Sequence, residues 1–345
     1  MRTADLSAAK RDTRPTPAKP DTARPERFVF LLMENFTLVA FAGAIEPLRI
    51  ANRMAGRTLY EWRVVSETGG PVAASNGVVV QADGGLAELG RETAIIVVGG
   101  LMVKHAITKP VLTWLRREAR RGMPVGAVCT GAQVIAQAGL LDGRRCTIHW
   151  ENRDSFEEDF PDIDLTPNVY VIDRDRYTAA GGAASTDLML KLVAQRHGAE
   201  LANLVADQMI HTSIRSETDE QRLSIPTRIG VRHPKLATVI HRMEEHVEEP
   251  VSPTVLAKDA GMSTRQLERL FRRYLDRTPK RYYMDLRLAR ARNLLMQTDL
   301  SVINVALACG FTSPSHFSKC YRALYQTTPY HERGTTGGAA GRQVA

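Results

Sequence analysis

The last third of this 345-residue chain contains one pattern twice, and that repeat constrains the fold more than any bulk property, because each copy must close a small core of its own. Ala257, Ala260 and Gly261 recur 49 residues later as Ala306, Cys309 and Gly310. Leu267, Phe271, Thr278 and Pro279 recur 50 residues later as Phe317, Tyr321, Thr328 and Pro329, so the second copy holds one extra residue at its turn. Each copy reads as helix, turn, helix. The small residue lets two helices cross closely, Gly supplies the positive φ of the turn, and the later Leu or Phe closes the core. Ser263 and Ser313 stand where the second helix of each copy needs an N-cap.

The pattern also assigns faces. The helix opened by Ser263 turns Leu267, Leu270, Phe271 and Tyr274 inward and leaves Arg265, Gln266, Glu268, Arg269, Arg272 and Arg273 outward. The helix opened by Ser313 turns Phe317 and Tyr321 inward and leaves Ser315, His316, Ser318 and Lys319 outward. Such faces place side chains near the helix start at base edges of the major groove, while later Arg and Lys meet phosphates. Residues 280–297 read as one helix between the copies, with Tyr283, Leu286, Ala289, Leu294 and Leu295 available for packing. At about 1.5 Å per residue it spans roughly 25 Å, enough to hold two recognition helices about one duplex turn apart.

Charge separates this reading from a bundle with a merely solvated basic face. Residues 252–333 carry 14 Lys and Arg against 6 Asp and Glu, which accounts for the whole net charge of +8. The expected partner is therefore a polyanion, double-stranded DNA ahead of a membrane surface, since no long basic amphipathic or apolar segment accompanies the charge. The four cysteines, Cys129, Cys146, Cys309 and Cys320, show no paired spacing, so neither a metal site nor a disulfide framework is expected, and no cofactor. A cytoplasmic location without membrane insertion or export is the corresponding expectation.

Ahead of the repeat the chain alternates short apolar strands, at 28–33, 62–67, 94–98, 125–128 and 177–180, with helices at 38–54, 110–121, 130–138 and 185–196. Continuous apolar strands followed by helices predict an α/β domain with a mostly parallel, flavodoxin-like sheet covered on both faces. The expected organisation is a disordered tail at 1–26, the α/β domain at 27–213, a linker at 214–235, the all-α tandem helix-turn-helix domain at 236–333 and a flexible tail at 334–345.

The segments "LAKDAGMSTRQLERLFRRYLDRTPKRYYMDLRLARARNLL" and "VALACGFTSPSHFSKCYRALYQTTP" resemble the AraC/XylS family of transcription regulators over about 100 residues. The resemblance implies that Arg265, Glu268 and Arg269 in the first unit and Ser315, His316 and Lys319 in the second read bases, with Gln266, Arg273 and Ser318 beside them. Gln326 stands where the family usually has Gly, a change that bears on a turn rather than a DNA contact.

In the α/β domain, "PVGAVCTGA" puts Cys129 between a buried strand and a helix start. This is nucleophile-elbow geometry, in which a strained turn exposes the side chain near helix N-terminal amides. Together with "TIHW" at 147–150 and "TAAGGAASTDLMLKLV" at 178–193, the domain resembles the PfpI-type, class I glutamine amidotransferase-like fold, and the whole resembles the GlxA group of regulators. Enzymes of that fold need a thiolate assisted by a carboxylate or imidazole. Here Thr130 follows the cysteine where the protease-like members carry His, and Ala40 falls where related enzymes carry Asp. Glu46 does not replace that acid, because six residues along a helix turn it by about 600° and bring it to another face.

The expected result is a degenerate enzyme with no catalytic residue, whose pocket of Glu46, Cys129, Thr130, His149, Trp150, Ser185, Thr186 and Asp187 binds a small molecule. An acid and an indole suit a cationic or zwitterionic ligand. The resemblance implies an amine or amino-acid effector such as glycine betaine, carnitine or arginine, activation of transcription through RNA polymerase, and a homodimer formed by the α/β domain. The alternative is an active cysteine-dependent hydrolase, hydratase or amidase fused to a DNA-targeting module.

Overall fold

The computed structural model describes residues 24–90 and 92–336. Of the two expected tails, 1–23 and 337–345 lie outside the described residues.

The N-terminal unit runs β1 (Glu26–Leu32), α1 (Leu38–Ala55), β2 (Tyr60–Val65), a short ribbon of β3 (Val72–Ala73) and β4 (Val79–Val80), then β5 (Thr93–Val98), α2 (Val103–Ala106), α3 (Lys109–Arg120), β6 (Val125–Val128) and α4 (Gly131–Gln137). It continues through β7 (Arg145–Cys146), a 3-10 turn at Trp150–Asn152, α5 (Arg153–Asp159), β8 (Asp164–Leu165), β9 (Tyr170–Asp173), β10 (Arg176–Ala179), α6 (Ala183–His197) and α7 (Ala199–Gln208). Six strands form the main sheet in the order β2-β1-β5-β6-β10-β9, parallel except for the edge strand β9.

The uninterrupted apolar runs follow from this layering. In β1, Phe28, Phe30 and Leu32 enter the core under α1, α6 and α7, while Val29 and Leu31 enter the core under α3, α4 and α5. A strand buried on both faces has no polar side to alternate with. Strand β1 is flanked by β2 on one side and β5 on the other, so the strand order switches there, and the segments after β1 and β5 are joined by Leu101 N–H donating to Asn35 O at 3.0 Å. Helices α5 and α7 and strand β9 lie in stretches where the sequence shows no clear period. In α7 the buried positions are Ala202, Val205 and Ala206, too small to mark a face by hydropathy.

The C-terminal unit is helical: α8 (Ile225–Ile229), α9 (Pro234–Glu245), α10 (Pro253–Asp259), α11 (Thr264–Leu275), α12 (Pro279–Gln297), α13 (Val302–Ala308), α14 (Pro314–Tyr325) and α15 (Pro329–Thr336). It has two cores. Leu256, Ala257, Leu267 and Phe271 close the first with α9 and with Tyr283 from the start of α12. Val305, Ala306, Cys309, Phe317 and Tyr321 close the second with Leu288, Leu294 and Leu295 from the rest of α12. The 19-residue α12 therefore threads both repeats.

Residues 214–235 join the units while fastened to both. The Gln221 side-chain amide donates to Thr147 Oγ1 and Ile148 O, each at 2.8 Å, whereas Ile225, Ile229 and Val231 pack on the first helical core. Arg290 on α12 meets Asp154 on α5 at 3.2 Å. Among the described residues no helix is long and apolar enough to cross a membrane.

Candidate nucleic-acid interface and elbow site

Helix α11 starts with a reciprocal cap. Gln266 N–H donates to Ser263 Oγ at 3.3 Å, and Gln266 Oε1 accepts from Ser263 N–H at 2.8 Å, which satisfies two helix-end donors at once. Leu267 and Phe271 are fully buried, so the helix presents its opposite face outward. There Arg265, Glu268, Arg269, Arg272 and Arg273 are exposed, and none of them forms an ion pair among the described residues. Arg273 lies over its neighbour Tyr274 at 5.3 Å. In α14, Ser313 Oγ accepts from His316 N–H at 3.3 Å and Pro314 occupies the first turn. Ser315, His316 and Lys319 are exposed and Ser318 is half-buried.

Two of the sequence-selected residues have local partners. The Gln266 carboxamide is held by the cap, and His316 Nε2 lies 3.3 Å from Cys320 Sγ. Arg265, Glu268, Arg269, Ser315 and Lys319 have the freer reach. The second turn also depends on close approach, because a Cβ on Gly310, at φ +73°, would lie 2.7 Å from Glu248 O. Sequence reasoning missed the fixings of α12. Tyr283 OH donates to His246 O and accepts from Val251 N–H, and Arg287 caps the carbonyls of the second turn. Single polar residues in a helical period carry no signal of such distant partners. Leu286 and Ala289, expected to pack, remain half-exposed and exposed on a cleft between the units.

In the α/β unit Cys129 has φ +58°, a left-handed conformation that is strained for a residue with a side chain. The elbow is possible because Gly131 lets the backbone come close: a Cβ there would be 2.3 Å from Val97 O. Cys129 N–H donates to Ala179 O at 3.0 Å, and Sγ lies 3.4 Å from Thr37 Oγ1 at the start of α1. The thiol is 6% exposed. Burial pushes it above the ordinary thiol range, against the opposing hydrogen bonds of Thr37 and of the Thr130 backbone, and Glu151 raises it further. No histidine or carboxylate hydrogen-bonds to Cys129 among the described residues.

The other selected residues separate. Thr130 is buried and donates to Gly100 O at 2.7 Å. Asp187 is fully buried and holds Arg215 Nε at 2.8 Å, Arg215 N–H at 3.0 Å and His211 Nε2 at 2.8 Å, so it anchors the segment after α7. Ser185 and Thr186 are buried at the start of α6, and the Ser185 hydroxyl has no partner among the described residues. Glu46 on α1 pairs with Arg49 at 2.6 Å. His149 Nδ1 accepts from Glu151 N–H at 3.4 Å, and burial lowers its pKa against the pull of Glu151, which favours neutral imidazole. Trp150 is 42% exposed, lines the interunit cleft and carries Arg222 over its ring at 4.7 Å.

An α/β unit with a buried elbow thiol, joined to two helix-turn-helix units whose exposed arginines form no ion pair among the described residues of α11, has the architecture of a DNA-binding regulator. Residues 26–195 match the DJ-1/PfpI family and residues 256–334 a helix-turn-helix domain family. The chain is 49% identical over 306 residues to the HTH-type transcriptional regulator CdhR of Pseudomonas aeruginosa, covering 89% of this chain and 91% of that protein. It is 39% identical over 325 residues to the HTH-type transcriptional regulator GlxA of Rhizobium meliloti, covering 93% and 99%. The fold resembles a ThiJ/PfpI family protein from Pseudomonas syringae, with a TM-score of 0.50 and 20% identity over 66% of this chain and 93% of that one. The chain belongs to the AraC-type transcriptional regulators of the GlxA group, which join a DJ-1/PfpI domain to a helix-turn-helix domain.

Proposed function

We propose that this regulator is a cytoplasmic transcription activator that responds to a small nitrogenous metabolite, a quaternary amine or an amino acid. Arg265, Glu268 and Arg269 of α11 and Ser315, His316 and Lys319 of α14 read bases in two successive major grooves, and Gln266, Arg273 and Ser318 contact the DNA beside them. Homodimerisation through the α/β unit and contact with RNA polymerase complete the activator.

The observation that carries this reading is the pairing of an unneutralised basic recognition helix with an elbow cysteine that is buried, raised in pKa and without a base. A nucleophilic cysteine needs a lowered pKa and an assisting group. The α/β unit therefore acts as a sensor whose ancestral chemistry is lost, with Cys129 a packing residue. Within the set selected from the sequence, Trp150 offers a partly open aromatic face suited to a cation.

A thermal-shift screen of amines and amino acids, followed by DNA-binding titrations with each stabilising compound, tests this reading. A compound that raises the melting temperature and changes the affinity for a specific site supports it. Turnover of any of these compounds that Cys129→Ala abolishes would establish the hydrolase alternative.

A further inference from the structure

A cleft of about 710 Å3 lies between the α/β unit and the helical unit, within the size range of small-molecule sites. Trp150, Asp154 and Arg222 stand on one side, and Leu286, Ala289 and Arg290 on the other. Leu286 and Ala289 continue the apolar period of α12 but are not covered by the core, so the cleft has an apolar floor. The carboxylates of Glu157, Glu220, Glu244 and Glu245 outnumber the further cation of Arg153 in the rest of its lining, which also holds His241.

Arg222 shows what this lining recognises. Its guanidinium lies 4.7 Å from the Trp150 ring centre and 3.6 Å from Glu244 Oε1, so a cation rests on an aromatic face with an acid beside it. Glu244 is held independently of Arg222, accepting from both Arg228 Nη atoms at 2.8 and 2.9 Å. Partial burial of the guanidinium lowers its pKa against the pull of Glu244.

We propose that this cleft, rather than the elbow at Cys129, is the effector site, taking a small organic ammonium ion with an apolar body that replaces Arg222 on the Trp150 indole beside Glu244. The inference rests on the reading of the chain as a metabolite-responsive regulator. It also supplies a coupling. Arg222 follows Gln221, whose amide fastens the joining segment to the α/β unit, and the opposite wall is α12, which threads both DNA-reading repeats. A ligand wedged between them binds one arrangement of the units better than another, the condition for shifting DNA affinity.

The test is calorimetric titration of the full chain with tetramethylammonium chloride and with glycine betaine, against sodium chloride at the same ionic strength. Saturable binding of an organic cation is expected, weakened roughly tenfold by Trp150→Leu at an exposed position and strengthened several-fold by Arg222→Gln, which removes the internal competitor. Equal affinities in the parent chain, Trp150→Leu and Arg222→Gln would overturn the site, as would loss of binding in Cys129→Ala but not in Trp150→Leu. If neither cation binds, the cleft proposal falls, and DNA titrations with the wider metabolite panel decide the sensor reading separately: a response there preserves it, and no response overturns both.

Discussion

Arg287 of α12 donates from Nε to Cys309 O at 2.7 Å, and from Nη2 to Gly310 O at 2.6 Å, so the connecting helix itself caps the turn of the second repeat. The same guanidinium lies 4.1 Å from the Phe311 ring centre. Two carbonyls at a helix end, normally left to water, are satisfied by one charged side chain. Arg287→Ala is expected to cost about 2 to 3 kcal/mol of stability, because both charge-assisted bonds and the stacking disappear together. Chemical denaturation followed by helical circular dichroism measures this. Arg287→Lys should recover only part of it, since an ammonium lacks the planar fork.

Arg269 and Arg272 share α11 and differ in assigned task. Arg269→Ala is expected to lose about 1 to 3 kcal/mol on a specific site and to relax preference at one base position, whereas Arg272→Ala should weaken all DNA about equally and reduce the salt slope by about one. Fluorescence anisotropy on specific and scrambled duplexes at several salt concentrations separates the two. A uniform loss for Arg269→Ala removes it from base readout.

Asp187 is buried with three donor groups converging on it from His211 and Arg215. Asp187→Asn keeps the shape but leaves the Arg215 charge without its counter-ion, an expected loss of about 3 kcal/mol. Limited proteolysis should then cut within 211–222 far faster than in the parent chain, because that segment is tethered through this carboxylate.

The thiols make stability fall in alkali. Burial raises Cys129, and lifts Cys146 and Cys309 to about 12, from the ordinary 9.0. Above pH 9 the unfolded chain loses these protons while the folded chain keeps them. The unfolded state then binds fewer protons, and stability declines as pH rises through that window. Replacing Cys146 by Ala should flatten the decline. Alkylation of Cys129 by iodoacetamide should stay slow at neutral pH, and a fast reaction there would contradict its assignment as a packing residue.

Much of the α/β layering was legible because both faces of its strands are buried. The expected strand 125–128 coincides with β6, and Cys129 falls at the strained turn that its neighbours announce. Strand β9 escaped notice because only its first two residues are buried and it ends in a half-exposed Asp173, unlike the equally short but fully buried β6. The ligand set was less legible. Small and polar residues after a strand end mark an elbow equally well whether they bind a ligand or, as with Thr130 and Asp187, bond to the protein itself.

The repeat by itself determined that two helix-turn-helix units exist, which faces they bury and where their basic residues lie, since a helix with a 3.6-residue period has one way to hide Leu267 and Phe271. Tertiary structure decided how the units are held. Arg287 reaches 22 residues along the chain to Cys309, Trp150 meets Arg222, and Leu286 and Ala289 face a cleft rather than a core. Local periodicity reports that a residue is apolar or charged. Its partner is set by which elements pack together, and that depends on the closure of the whole chain.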